Sequence, residues 1–149
     1  MIKSNLIQSF YYATKGILNT VIKERNLKIQ ITIGLFAVVL SIILKISKIY
    51  FIIIILVSFL VIILEFLNAA IEKLIDIISP TYNGEFGKIK DTMAGTVLMS
   101  AILSVIIGVL ILYTPLINAL RLNQNIFLVI ILSFSIIVIF GYIIKHLQN

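Results

Sequence analysis

The chain has 149 residues, of which 61% are hydrophobic, and its mean hydropathy is +1.20. Because a soluble domain is usually closer to half apolar, this composition excludes an ordinary soluble protein and predicts an integral membrane protein. The net charge of +6 comes from twelve basic residues spread along the chain, which favours membrane-helix flanks over a nucleic-acid-binding surface. The absence of cysteine excludes disulfides and thiolate metal sites, and the single histidine, His146, is interpreted as a solvated tail residue.

Long apolar runs predict the helices of the membrane domain. The runs are continuous rather than alternating, which favours spanning helices over barrel strands. Residues 4–23 form an amphipathic helix that either lies at the membrane surface or packs as an ordinary bundle helix. Three spans follow, over 27–46, 49–78 and 92–113. The first apolar run begins at Ile31, behind a basic segment, so no cleavable signal peptide is expected.

The C-terminal part of the chain predicts an additional helix. The third span is expected to stop at Pro115, and a polar connection leads to a fourth span over 126–144. The chain therefore divides into a membrane domain, residues 1–113, and an added segment, residues 114–149. The predicted fold is an all-α membrane bundle with an amphipathic surface helix and three to four transmembrane helices.

The basic residues predict the orientation of the bundle. They gather before the first span, which places the N-terminal segment and the loop 79–91 on the cytoplasmic side. The connections 45–48 and 114–125 then face outside, although Lys45 and Lys48 oppose this assignment.

One face of the second span carries an unusual set of polar residues, Glu65, Asn68, Glu72 and Asp76. At about 100° per residue they fall within roughly an 80° arc. Ionisable groups inside a span are costly and usually face a bundle interior or a functional site. Asp76 alone fits equally well as a solvated group at the helix end. Glu65 follows the apolar run 51–64, so its carboxylate must be protonated, metal-bound or functional.

Further charged residues sit at the same end of the other spans. Glu24 precedes the first span and is placed to reach Glu72, and the pair Lys90-Asp91 precedes the third. Oxygen ligands suit Mg²⁺, and a carboxylate, a lysine and a metal are the components of phosphoryl transfer. No phosphate-binding loop or protein-kinase motif is present. The spacing alone predicts a metal-binding membrane site, and a small ion-coupled transporter or channel subunit is the non-enzyme alternative.

The chain carries the pattern E-x-x-N-x-A-x-E-x-x-x-D from Glu65 to Asp76, and Lys90 follows Glu72 by 18 residues. It also carries the segments Tyr12-Ala13-Thr14-Lys15-Gly16, Glu24-Arg25-Asn26, Ser79-Pro80-Thr81-Tyr82 and Ala94-Gly95-Thr96-Val97-Leu98. With these features, from about residue 9 to 113, it resembles the prokaryotic diacylglycerol kinase and undecaprenol kinase family. The first pattern is highly specific to that family, and the 18-residue step also matches it.

The resemblance implies a role for each polar residue of the spans. Glu65 would be the general base that takes the proton of a lipid hydroxyl. Glu24 and Glu72 would hold Mg²⁺ against the phosphates of ATP. Asn68 would orient the site, and Lys90 would contact phosphate.

The resemblance also implies a nucleotide site and an assembly. Asp91, Tyr12 and the Thr81-Tyr82-Asn83 turn would bind the nucleotide. The family forms homotrimers with sites shared between subunits, in the bacterial plasma membrane and with the active site on the cytoplasmic side. The expected partners are therefore ATP, a lipid substrate and further copies of the chain.

Local differences bear on the acceptor lipid. Glu24-Arg25-Asn26 and Ala94-Gly95 resemble the undecaprenol branch, typical of Gram-positive bacteria, so undecaprenol is the expected acceptor and diacylglycerol the alternative. Asn83 and Gln30 stand where histidine is common in the family or in that branch, which leaves fine nucleotide or substrate contacts open. The fourth span is a further departure, interpreted as an added lipid-facing helix.

Overall fold

The computed structural model describes the backbone of residues 6–81, 83–122 and 124–146. It describes no side chain for residues 122, 124–126, 140, 141 and 143–146. Five helices and no strand are present in the described chain, which confirms the predicted all-α class. They are α1 (Leu6–Lys23), α2 (Arg25–Ile43), α3 (Lys48–Ile78), α4 (Gly84–Leu122) and α5 (Gln124–His146). By length and composition, α2, α3 and α4 are each able to cross a membrane.

Helix α1 is the predicted amphipathic helix. None of its residues is buried, and large apolar side chains such as Phe10 and Ile17 remain exposed. Its neighbour in the bundle is α2. An amphipathic helix with an uncovered apolar face is typical of a segment at the membrane interface, so the structure favours that interpretation over an ordinary bundle helix.

A tight reversal joins α2 to α3, as the sequence predicts. The N–H of Lys45 donates to the carbonyl of Ile42 (3.1 Å), and the N–H of Ile46 donates to that of Ser41 (3.3 Å). This is the Schellman arrangement, whose turning residue adopts a left-handed conformation. Lys45 occupies it with φ 49°, a conformation that glycine adopts more easily. The turn folds α3 back against α2.

Helix α3 is the centre of the bundle, because it packs against both α2 and α4. Its buried residues are Ile54, Val61, Glu65, Asn68, Ala69 and Ile75. The face that forms the apolar seam is therefore also the face that carries two of the predicted site residues. Close approach to α2 is allowed by Gly34, where a Cβ atom would lie 3.3 Å from the Cβ of Ser58.

The connection between α3 and α4 is shorter than predicted. Helix α4 begins at Gly84, so most of the expected loop 79–91 is helical. Asn83 explains the early start, because its Oδ1 accepts a hydrogen bond from the backbone N–H of Glu85 (2.9 Å). Asparagine is among the best residues for capping the first turn of a helix.

The prediction that the third helix stops at Pro115 is wrong. Helix α4 continues through Pro115 to Leu122, so most of the expected connection 114–125 is helical. Proline removes only one N–H donor from the helical ladder, so the other backbone hydrogen bonds can carry the helix past it.

Helix α5 lies beside α2 and α4 and so completes a four-helix arrangement with α3. The rings of Phe36 on α2 and Phe134 on α5 meet edge to face, with centroids 5.2 Å apart. Its described apolar stretch, Phe127–Ile139, is shorter than a full span. A fourth membrane crossing thus stays a prediction, as does the division of the chain at residue 113, and the side chain of His146 lies outside the described residues.

Candidate active site

Glu65 is a buried carboxylate in the α2–α3 interface, where its side chain is 4% exposed. The Nε2 of Gln30 on α2 donates a hydrogen bond to its Oε2 (3.1 Å). A buried polar group is tolerated in an apolar interface when it is hydrogen-bonded. The bond to Gln30 therefore fixes the orientation of a carboxylate that the apolar seam would otherwise exclude.

A second amide–carboxylate pair lies along the same face of α3. The Nδ2 of Asn68 donates to Oε1 of Glu72 (2.9 Å), across one helical turn. Asn68 is 6% exposed, and its Oδ1 is buried without a hydrogen-bond partner in the described chain. Asn68 thus holds Glu72 in place and keeps a carbonyl oxygen free for a donor or a cation.

Glu24 faces α3 from the junction of α1 and α2. It is the single residue between these helices, with extended backbone angles (φ −86°, ψ 116°). Its Oε1 lies 3.5 Å from the Nζ of Lys73, the residue after Glu72. The two predicted metal ligands are therefore set at the same level of the bundle.

The chemistry of these side chains suits a hard cation such as Mg²⁺, and a metal site formed by them stays a prediction. Glu24 and Glu72 carry carboxylate oxygens, and Asn68 carries a buried carbonyl oxygen that has no partner in the described chain. Mg²⁺ in nucleotide sites usually takes one or two carboxylates together with substrate phosphates. Within the described residues, no group of three or more acidic or histidine side chains is placed to hold a metal by itself.

A polar cleft of about 220 Å³ lies at the end of α3 and the start of α4. Within it the Nζ of Lys90 lies 2.5 Å from Oδ1 of Asp76. The lining residues are Ile75, Asp76, Ser79, Pro80, Thr81, Asn83, Phe86, Gly87 and Lys90. The cleft brings together Lys90, Thr81 and Asn83, three of the residues expected to contact phosphate or nucleotide.

Comparison with known proteins identifies the family to which this chain belongs. The model of the family described as prokaryotic diacylglycerol kinase matches residues 11–112. The chain belongs to the prokaryotic diacylglycerol kinase family. It is therefore a member of a family of lipid kinases, phosphotransferases for which ATP is the phosphoryl donor. The resemblance read from about residue 9 to 113 is confirmed.

Two curated relatives have different names. A protein named diacylglycerol kinase from Synechocystis sp. is 36% identical over 115 residues, which are 76% of this chain and 66% of that protein. A protein named undecaprenol kinase from Bacillus subtilis is 32% identical over 108 residues, 72% of this chain and 88% of that protein. The chain thus spans just under two thirds of the first relative, and the similar identities do not separate the two branches. Three apolar helices and bacterial relatives make this family member a bacterial membrane protein.

Four further residues, Tyr12, Asp91, Asn83 and Tyr82, are implied in nucleotide binding by the family resemblance. Tyr12 on α1 is 66% exposed, and its ring packs edge to face on Tyr11 with centroids 5.5 Å apart. Asp91 is exposed on α4. Asn83 caps α4, as described above, and Tyr82 lies outside the described residues. Nucleotide contacts of these four residues stay predictions.

Sequence reasoning missed two partners of the site. Gln30 was noted as a departure from the family pattern, but its contact with Glu65 joins residues 35 positions apart. A polar amide within the apolar α2 was the available signal. Lys73 was not considered, although it follows Glu72 directly and pairs with Glu24.

Proposed function

We propose that this protein transfers the γ-phosphate of ATP to the primary hydroxyl of a membrane lipid, with undecaprenol as its main acceptor. The observation that carries the proposal is the buried carboxylate of Glu65, held by an amide in an apolar interface of the membrane domain. Such a carboxylate is costly and is expected at a functional site.

The order of residues along α3 fits the reaction. Glu65 lies two turns away from Glu72, and Asp76 follows one turn further on, paired with Lys90 of α4. A lipid hydroxyl beside Glu65 and a nucleotide beside Lys90 would meet between these levels. The transferring phosphoryl group would then lie near Glu72.

Each side chain has a defined part in the transfer. Glu65 takes the hydroxyl proton while the lipid oxygen bonds to the γ-phosphorus and the bond from that phosphorus to ADP breaks. Lys90 neutralises phosphate charge, and Glu24 and Glu72 would hold Mg²⁺. When bound, the metal supplies positive charge that offsets the charge on the phosphate oxygens.

An apolar cleft on the outside of the helix bundle supports a lipid acceptor. It has a volume of about 580 Å³ and lies between α1, α2 and α3. Its lining residues are Ile17, Val21, Ile31, Phe59, Ile62, Ile63, Phe66 and Leu67. An apolar lipid chain would fit this cleft, although Glu65 is not among its lining residues.

A homotrimer with its sites on the cytoplasmic side completes the proposal. The basic flank before α2 favours that side for Glu24 and the α3–α4 connection. The homotrimer is supported by the family resemblance, which implies sites shared between subunits.

Undecaprenol should give a higher kcat/KM than diacylglycerol when both are assayed in the same mixed micelles. Some activity on diacylglycerol is also expected, because a pocket that rejects a lipid only by apolar shape discriminates by about 1–3 kcal/mol per methylene-scale difference. A preference for diacylglycerol of about tenfold or more, equivalent to about 1.4 kcal/mol, would overturn the choice of acceptor.

Truncation after Leu120 should leave kinase activity in place. The proposed site residues all precede Val97, and the family match ends at residue 112. Loss of α5 removes the contact between Phe36 and Phe134, so a lower melting temperature in detergent is expected. Full-length protein carrying Phe134→Ala is the matched control for that contact. Complete loss of activity in a truncated protein that still inserts and assembles would show that α5 completes the site.

A further inference from the structure

The side-chain amide of Gln30 has one satisfied end and one free end. Its Nε2 donates to Oε2 of Glu65, whereas its Oε1 is buried without a partner in the described chain. Gln30 also lines an apolar cleft of about 270 Å³ between α2, α3 and α4. A buried carbonyl oxygen without a partner is unfavourable and calls for an explanation.

The protonation of Glu65 supplies that explanation. An ionised carboxylate only accepts hydrogen bonds, so it requires the N–H end of the amide. A protonated carboxyl carries an O–H that needs an acceptor, which the carbonyl end of the same amide provides after half a turn about its terminal bond. One carboxamide can thus partner both forms of Glu65, which neither a lysine nor an apolar side chain can do.

We propose that Gln30 is the positioning residue for Glu65, able to hydrogen-bond the carboxylate before phosphoryl transfer and the carboxylic acid after it. The inference rests on the proposed function. As the lipid O–H bond breaks, an O–H bond forms on Glu65, and the lipid oxygen uses the released electron pair to bond phosphorus. The bond from phosphorus to ADP breaks with its electron pair on the ADP oxygen. Release of the proton from Glu65 to water returns the amide to its starting orientation.

Two substitutions separate positioning from packing. Gln30→Met keeps a long side chain but removes donor and acceptor, whereas Gln30→His restores both with a bulkier ring. Gln30→Met should lower kcat by about tenfold, the effect of one lost hydrogen bond, with KM for ATP unchanged. Gln30→His should recover much of the loss. Thr32→Val on the same helix, which removes only a hydroxyl bonded to the Lys28 carbonyl, is the matched control and should leave kcat unchanged.

The order of kcat among the variants, together with a double mutant, distinguishes a positioning role of Gln30 from a packing role. A packing role predicts that methionine works better than histidine, and that order would overturn the inference, as would full activity of Gln30→Met. If Gln30→Met fails to fold, Gln30→Leu takes its place in the ranking. In a Glu65→Gln background, Gln30→Met should lower the residual rate no further, because it acts through Glu65. Independent, multiplying losses would contradict that.

The same assays distinguish this inference from the proposed function. An inactive Glu65→Gln variant together with a fully active Gln30→Met variant would overturn only the role of Gln30. An active Glu65→Gln variant would show that Glu65 is not the general base. A native protein that phosphorylates no lipid would overturn the proposed function. Either of the last two results also overturns the inference.

Discussion

Replacing Glu65 with glutamine should lower kcat by about 10²–10⁴-fold, the usual contribution of a general base. The substitution removes the proton acceptor but keeps the shape and a hydrogen-bond acceptor for the Nε2 of Gln30. Helix content and nucleotide binding should therefore stay as in the native protein. Steady-state kinetics with a lipid acceptor, beside circular dichroism and binding of labelled ATP, measure these quantities.

Glu85→Gln is the matched control for this experiment. Glu85 lies in the first turn of α4 and pairs on the surface with Lys88, three residues further on. An exposed pair of this kind contributes little, so the control should keep native activity. If Glu65→Gln retains activity within a few-fold of the native protein, Glu65 is not the base.

Replacing Glu24 or Glu72 with glutamine should raise the Mg²⁺ concentration needed for half-maximal activity or abolish activity. An amide is a weaker ligand than a carboxylate for a hard cation, and it lacks the negative charge that offsets the metal. A titration of kcat with Mg²⁺ at fixed ATP measures the effect for each variant. An unchanged titration would exclude that residue as a ligand.

Lys73→Met separates metal binding from ion pairing in the same titration. Lys73 pairs with Glu24, and the alternative role of Glu24 is to anchor this lysine alone. In that case Lys73→Met would reproduce the defect of Glu24→Gln. If Glu24 binds the metal, removal of the competing ammonium group should leave the Mg²⁺ requirement unchanged or lower it.

Hydropathy predicted the spanning helices because their apolar runs are long and continuous. The ends were less accurate, since they depend on local chemistry that hydropathy does not record. Asn83 caps α4 and shortens the loop before it, and α4 continues past Pro115, where a proline alone predicted an end. The tight turn at Lys45 was recognised, although its left-handed conformation was not.

The candidate site was predictable where its residues share one helix. The four-residue step from Asn68 to Glu72 is one helical turn, and the structure shows the expected neighbours in contact. The bond between Gln30 and Glu65 depends on how α2 packs against α3, which no pattern within one helix specifies. The alternative of an ion-coupled transporter or channel subunit rested on the same carboxylates. Membership of a lipid kinase family decides against that alternative.

The acceptor lipid was the property hardest to predict from the sequence. Short matches such as Glu24-Arg25-Asn26 point to the undecaprenol branch, whereas the two named relatives are similarly distant from this chain. We expect selectivity to depend on the shape of the apolar clefts between the helices, and that shape arises from helix packing rather than from a pattern within one helix.

Transfer of labelled γ-phosphate from ATP to a lipid tests the central claim most directly. Purified protein in mixed micelles with undecaprenol or diacylglycerol, ATP and Mg²⁺ should yield the lipid monophosphate, identified by mass spectrometry. The product should be absent without Mg²⁺ and nearly absent with the Glu65→Gln variant. Hydrolysis of ATP without any phosphorylated lipid, or equal product from the native protein and Glu65→Gln, would contradict the account.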